Sequence, residues 1–180
     1  MKNVKIDKEI LQRLNETYDE EIEAPGLAST GSTKISLEAI RNGDAGLTDR
    51  RRNLLSRVPN SNDWAAFKKD SISIKDLAYL SALTKHEFAL LRGKRSDILF
   101  HGIERHCNFD EALIELLKSK KYKLVAHTHP DYGNVTASAA DRAFLRMIGQ
   151  NESLIISYIT GEELKFSSNY FDDYLGGAKC

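Results

Sequence analysis

The segment Tyr122–His129 constrains the fold more than any other part of this sequence. It is a largely apolar run that predicts a buried β-strand, and it ends in two histidines separated by one residue. A loop containing proline and glycine follows, and Ser138 then begins a predicted helix that extends to about Ile148. A buried strand followed by a loop and a helix is typical of a domain that packs helices against a sheet.

The segments around this strand predict further helices and strands. They are, in order, a helix at 73–83, strands at 87–91 and 97–101, a helix at 109–118, the strand at 122–129, the helix at 138–148, and strands at 153–159 and 163–167. This order of elements predicts an α/β fold, in which a mixed β-sheet is flanked by helices.

The first seventy residues have a different pattern, in which helices predominate. Helices are predicted at 4–22, 34–41 and 48–57, and the loops between them are rich in Gly, Ser and Asn. Trp64 and Phe67 are spaced for one helical turn and would pack this region onto the sheet. We therefore divide the chain into a mostly helical N-terminal region, 1–70, and an α/β domain, 71–180.

Charge and composition argue against several classes of partner. The 26 basic and 26 acidic residues balance, so no basic surface for nucleic acid is predicted. The sequence contains no apolar run of the roughly 20 residues that a membrane span needs, and its start does not resemble a signal peptide. Two cysteines, Cys107 and Cys180, do not form a disulfide framework. We expect a soluble protein of the cytoplasm, or one delivered into a target cytoplasm as part of a larger protein.

The two histidines of the central strand point to metal chemistry. His127 and His129 are two residues apart, so both imidazoles project from the same face of the strand. Asp141 lies near the start of the next helix, where the loop can fold it back as an oxygen ligand. Two imidazoles and one carboxylate leave the fourth position of a tetrahedral Zn²⁺ open for water, as a catalytic zinc site requires.

Local structure alone explains part of the same pattern. Ser138 followed by Asp141 fits a helix N-cap with an acidic third residue, which is a common capping device without catalytic meaning. A His-x-His pair is also frequent as a surface or packing feature. The sequence leaves both interpretations open.

The run His127-Thr128-His129-Pro130, followed by Ser138-Ala139-Ala140-Asp141, resembles the motif of the JAMM (JAB/MPN) metallopeptidases. That motif is His-Ser/Thr-His and then Ser-x-x-Asp, with a glutamate far upstream, for which Glu87 is the counterpart. The resemblance covers about residues 73–167. A looser likeness, carried by 87–90, 127–130 and 149–153, is to JAB-like domains of bacterial polymorphic toxins and phage-related proteins.

The resemblance implies a fold of the cytidine-deaminase-like, JAB/MPN type and a function as a zinc-dependent peptidase or isopeptidase. His127, His129 and Asp141 would hold Zn²⁺, Glu87 would act as the general base, and Ser138 would stabilise the oxyanion. The implied substrate is a peptide or a ubiquitin-like protein conjugate. The spacer between His129 and Ser138 has eight residues where the family usually has seven, and Ala137 stands where a proline is common.

Two other functions stay open. One is a JAB/MPN-like interaction module without catalysis, and the other is a toxin-type metal-dependent hydrolase such as a nuclease. The remaining histidines, His86, His101 and His106, are expected to face solvent.

Overall fold

The computed structural model describes residues 8–15, 35–58, 60–131 and 135–169. In these ranges the chain forms one mixed sheet of six strands and six helices. The helices are α1 (Lys8–Asn15), α2 (Leu37–Asn42), α3 (Asp49–Arg57), α4 (Ile74–Thr84), α5 (Glu111–Lys118) and α6 (Ala139–Ile148). The strands are β1 (Asp63–Lys68), β2 (Phe88–Gly93), β3 (Ser96–His101), β4 (Tyr122–His129), β5 (Glu152–Ser157) and β6 (Glu163–Ser167).

The sheet has the strand order β1-β3-β2-β4-β5-β6. Neighbouring strands are antiparallel except β4 and β5, which run parallel because α6 connects them as a crossover. Strand β4 therefore lies inside the sheet, between β2 and β5. The predicted α/β fold with a mixed sheet and flanking helices is confirmed at this level.

Helices cover both faces of the sheet. Apolar side chains of α1, α5 and α6 pack on one face, and those of α2, α3 and α4 pack on the other. Leu90 and Leu91 illustrate the division, because they are adjacent in β2, fully buried, and belong to opposite faces. A strand buried on both faces needs apolar residues at successive positions, which is the pattern of the central strands.

Strand β1 was not predicted from the sequence. It pairs antiparallel with β3, with Trp64 opposite Phe100 and Phe67 opposite Asp97. Trp64 and Phe67 pack into cores on opposite faces of the sheet, so the prediction that they share one helical turn is wrong. A separation of three residues places two side chains on different faces of a strand but on one side of a helix. The division of the chain at residue 70 stays a prediction.

A bulge in β4 decides which way its histidines face. Leu90 of β2 pairs with Ala126 and Leu91 pairs with Leu124, so Val125 is an additional residue in β4. For the residues that follow Val125, this additional residue reverses the alternation of side chains between the two faces of the sheet. His127 and His129 consequently face α6, on the same face of the sheet as Leu124. Without the bulge, their side chains would point to the face opposite that of Leu124.

The helix starts agree with their capping signals. Ser73 caps α4 and Ser138 caps α6, and each forms a capping box with the acidic residue three positions later. Helix α1 covers part of the predicted helix at 4–22, and the rest of that prediction lies outside the described residues. None of the helices described here has the length and apolar character needed to cross a membrane.

Candidate metal centre

The end of β4 and the start of α6 bring three potential metal ligands together. The Nε2 atoms of His127 and His129 lie 3.1 Å apart. Oδ1 of Asp141 is 3.1 Å from Nε2 of His127, and its Oδ2 is 3.5 Å from Nε2 of His129. These three side chains form a buried or half-buried group that could hold a metal ion.

The spacing of these atoms fits a tetrahedral cation. Ligands about 2.0–2.1 Å from zinc and separated by the tetrahedral angle are about 3.3 Å from one another. The two Nε2 atoms are 3.1 Å apart, and each lies 3.1 or 3.5 Å from an oxygen of Asp141, Oδ1 for His127 and Oδ2 for His129, which is close to that value. The eight-residue spacer between His129 and Ser138 therefore does not keep Asp141 away from the histidines.

Asp141 also caps its own helix. Its Oδ2 accepts a hydrogen bond of 2.7 Å from the backbone N–H of Ser138, and its own N–H donates to the Ser138 hydroxyl at 3.1 Å. The capping role and the approach to the histidines are thus not alternatives. One carboxylate oxygen serves the helix while the other faces His127.

The acid–base properties of the three side chains favour a cation between them. Burial disfavours the charged form of Asp141, but hydrogen bonds from both histidines outweigh it and hold the pKa of Asp141 well below its usual range. Burial lowers the pKa of His127, and Asp141 opposes this only in part. Burial also lowers the pKa of His129, but Asp141 and two further carboxylates outweigh it and raise that pKa. A metal ion bound to His129 would replace the proton that the neighbouring carboxylates favour on this ring.

Contacts behind the ligands fix His129 more firmly than His127. Oδ2 of Asp131 lies 3.4 Å from Nδ1 of His129, on the side of the ring away from the centre. The Ser157 hydroxyl donates to the carbonyl oxygen of Asp131 at 2.9 Å and so holds that residue. A carboxylate behind a ligating imidazole fixes the ring orientation and raises its basicity. The buried Nδ1 atom of His127 has no hydrogen-bond partner among the described residues.

Glu87 lies just before β2 and is only 5% exposed. Its N–H donates to the carbonyl oxygen of Ile103 at 2.9 Å, and its carbonyl accepts from the N–H of Gly102 at 2.8 Å. A side chain at Gly102 would collide with the backbone of His106, so glycine is needed for this close approach. The backbone of Glu87 is thereby fixed on both sides.

The carboxyl group of Glu87 has a strongly altered acidity. Burial raises its pKa from 4.5 to about 8; the positive charge of His129 opposes the rise, and Asp141 and Asp131 add to it. Its side chain lines the same cavity as His127, His129 and Asp141. A buried carboxyl beside three potential ligands is the arrangement expected of a group that exchanges protons during a reaction.

Thr128 links the histidine strand to the segment that carries Glu87. It is fully buried, on the opposite face of β4 from the two histidines, and its hydroxyl oxygen accepts a hydrogen bond of 2.8 Å from the N–H of Phe88. The hydroxyl of Ser81 in α4 lies 2.8 Å away from the same oxygen. Sequence reasoning missed this contact and that of Asp131, because both depend on pairing between distant segments.

Ser138 is exposed and lies in the wall of the cavity. Its hydroxyl oxygen accepts the bond from the N–H of Asp141, which leaves the hydroxyl proton for another acceptor. The position is compatible with a donor to a bound substrate.

The prediction that His101 faces solvent is wrong. His101 is 4% exposed, its ring stacks on Phe88 with 4.4 Å between centroids, and its Nε2 lies 2.9 Å from Nδ1 of His86. His106 is exposed, as expected, and His86 is half-buried. Cys107 also lines the cavity, but burial raises the pKa of its thiol, which disfavours the nucleophilic thiolate.

Comparisons of this chain with protein-family models, with curated proteins and with solved structures found no match.

Proposed function

We propose that this protein is a zinc-dependent hydrolase of peptide or isopeptide amides. The observation that carries the proposal is the convergence of His127, His129 and Asp141 in a cavity that Glu87 also lines, with the two Nε2 atoms 3.1 Å apart and each 3.1–3.5 Å from one of the two Asp141 oxygens. The resemblance of the sequence motif to JAMM metallopeptidases supports the choice of an amide as the bond that is cleaved. A set of two imidazoles and one carboxylate leaves room for water, as hydrolysis requires.

The donor set favours a transition metal such as zinc over magnesium or calcium. Imidazole nitrogens suit zinc and copper, whereas magnesium and calcium prefer sites built from oxygen atoms alone. A bound zinc ion supplies Lewis acidity and a water that is acidic enough to attack at neutral pH. Side chains of the protein would transfer the protons and stabilise the charge that develops on the substrate.

Glu87 acts as the general base and then as the general acid. A cation at the centre favours the carboxylate form of Glu87, which is the form that accepts a proton from the attacking water. Burial acts in the opposite direction and raises the pKa of Glu87, so that the carboxyl can hold the proton once it has been taken up. The same group can therefore deliver the proton to the leaving amine.

Ser138 stabilises the charge that develops on the substrate oxygen. Its hydroxyl oxygen is held by the N–H of Asp141, so the hydroxyl can point its proton toward the cavity. Hydrogen-bond donors that are fixed before the reaction contribute more than donors that must reorient. The cap of α6 thus holds this donor in place beside the metal ligands.

The experiment is a hydrolysis assay on the zinc-loaded full chain. Substrates are a set of internally quenched peptides, a ubiquitin-like isopeptide conjugate, single-stranded DNA and RNA, each with chelator, without it, and after zinc is restored. We expect cleavage of a peptide or isopeptide bond that chelator abolishes and zinc restores. His129→Ala should remove this activity, whereas Met147→Ala, which changes an exposed side chain outside the cavity, should retain it.

The outcome separates the competing functions. Zinc-dependent cleavage of nucleic acid without cleavage of amides would indicate a nuclease. Full-length protein that binds less than about a tenth of an equivalent of zinc and cleaves nothing would indicate an interaction module. Either result would contradict the proposal.

A further inference from the structure

The cavity beside the candidate metal centre has an apolar wall that the proposed reaction does not use. The cavity measures about 1090 Å³, and His127, His129 and Asp141 form one part of its lining. Phe109, Phe144 and three smaller or aliphatic neighbours form another part; these neighbours are Cys107, Leu124 and Ala140. A ligand that reaches the metal ligands therefore also meets apolar surface.

The two aromatic rings of this wall are fixed in position. Phe109 stacks against Phe144 with 5.2 Å between ring centroids, and it also packs against Phe100 at 4.7 Å. Phe100 is 1% exposed and belongs to the core, whereas Phe109 and Phe144 are half-buried. The stack thus extends from the core to the surface of the cavity. A rigid apolar surface binds a side chain without first having to be ordered.

Helix α6 places this wall next to the metal ligands. Asp141 and Phe144 are three residues apart, so their side chains lie on one side of the helix, with about 5–6 Å between Cβ atoms. The side chain of the residue next to a cleaved amide extends over a similar distance. A substrate whose carbonyl lies beside the three metal ligands would place that side chain near the rings.

We propose that Phe109 and Phe144 form a subsite for an apolar, preferably aromatic, side chain next to the amide that is cleaved. The inference rests on the proposed function and narrows its substrate class to peptides with such a residue at the cleaved bond. Stacked or edge-on contacts with the two rings favour an aromatic side chain over an aliphatic one of similar size. Packing of the hydrophobic core explains why Phe109 contacts Phe100. It does not explain why Phe109 and Phe144 both line the cavity that contains the metal ligands.

The test measures binding of two small hydroxamates to the zinc-loaded full chain by calorimetry. Acetohydroxamate and 2-phenylacetohydroxamate carry the same metal-binding group and differ only in the added ring. We expect the phenyl compound to bind the wild type about tenfold more tightly or better. In Phe144→Ala this advantage should fall below about threefold, while the affinity for acetohydroxamate stays the same.

Two further variants control for loss of structure. Phe144→Leu keeps an apolar side chain on α6 and should retain part of the advantage. Met147→Ala removes a side chain that is 48% exposed on the same helix, outside the cavity wall, and should leave the advantage unchanged.

The results distinguish failure of the subsite from failure of the metal centre. Equal affinities of the two compounds for the wild type, or an advantage that Phe144→Ala leaves intact, would overturn the subsite alone. Failure of both compounds to bind a folded, zinc-supplemented protein would contradict the metal centre and the subsite with it.

Discussion

Oδ1 of Asp141 lies 3.1 Å from Nε2 of His127, although the carboxylate of Asp141 also caps helix α6. The side chain of Asp141 therefore caps its own helix and also contacts a residue fourteen positions earlier in the chain. The cap fixes the carboxylate relative to the helix axis, and the helix then presents it to the two histidines of β4. The site depends on this dual use.

Asp141→Asn separates the two uses. Asparagine keeps an acceptor for the N–H of Ser138 but loses the negative charge that faces the histidines. Because groups that merely orient a ligand contribute 10–100-fold to affinity, loss of a ligand should weaken zinc binding by about 100-fold or more. The measurement is a competition titration with a chromophoric chelator.

The control for this variant is Asp110→Asn, which changes the N-cap of α5 outside the metal-ligand group. It should lower the free energy of unfolding slightly and leave zinc affinity unchanged. If Asp141→Asn destabilised the protein but bound zinc as the wild type does, Asp141 would be a helix cap and nothing more.

Glu87→Gln should remove catalysis and keep the metal. The amide is nearly isosteric with the buried carboxyl but does not accept or deliver a proton, so kcat should fall by roughly 10²–10⁴-fold. Zinc affinity should change little, because Glu87 is not one of the three grouped ligands. The measurement is a steady-state assay on the cleaved substrate with zinc content determined in parallel; full activity of this variant would refute the assigned role.

Thr128→Val should impair catalysis without emptying the metal centre. Valine has the shape of threonine but leaves the N–H of Phe88, the neighbour of Glu87, without its partner. A shift of about 1 Å in a reacting group costs up to about 100-fold, so we expect kcat to fall by about tenfold or more while KM and zinc affinity stay near the wild type. Amide hydrogen exchange at Phe88 should become faster.

Two companion variants distinguish positioning from general loosening of the core. Thr128→Ser restores the hydroxyl and should recover most of the lost kcat. Ser81→Ala removes the other hydroxyl that contacts Thr128 but keeps the bond to Phe88, and should be nearly neutral for kcat. An equal loss in Ser81→Ala and Thr128→Val would mean that Thr128 only packs the interior.

His101 should make the free energy of unfolding depend on pH. Burial lowers its pKa below 6.5, the bond to the carbonyl oxygen of Val58 opposes this, and the charge of His86 adds to it. The unfolded chain therefore takes up a proton at a higher pH than the folded chain. The contribution to stability is complete above about pH 6.5 and is lost as the pH falls through the folded pKa, at up to about 1.4 kcal/mol per pH unit.

Urea unfolding at pH 7.5, 6.5 and 5.5 tests this pH dependence. His101→Gln should lose less stability between pH 7.5 and 5.5 than the wild type does. The exposed His106→Gln should follow the wild type. Parallel pH profiles for wild type and His101→Gln would show that His101 titrates in the folded protein as it does in the unfolded chain.

The elements nearest the site could be predicted from the sequence because their signals are local. An apolar run predicts β4, and a serine followed by an acidic residue three positions later marks the start of α6. The pairing of His127 and His129 on one face follows from the alternation of side chains in a strand. The order of residues in the motif was enough to predict that Asp141 and Glu87 belong to the same site as the two histidines.

Features that depend on long-range pairing could not be predicted in this way. Strand β1 is short, and the spacing of Trp64 and Phe67 also fits a helix. Only the pairing of β1 with β3 identifies the segment as a strand. The additional residue Val125 becomes visible only in the register between β2 and β4. The burial of His101 likewise results from contacts with Phe88 and with a carbonyl contributed by a segment 43 residues away.

The most direct test of the metal centre is anomalous diffraction from crystals of the zinc-loaded full chain. We predict a single zinc peak about 2.0–2.2 Å from Nε2 of His127, Nε2 of His129 and a carboxylate oxygen of Asp141, with water at the fourth position. A zinc-saturated crystal with no peak between these three side chains, and with Asp141 bound only to the start of α6, would contradict the account.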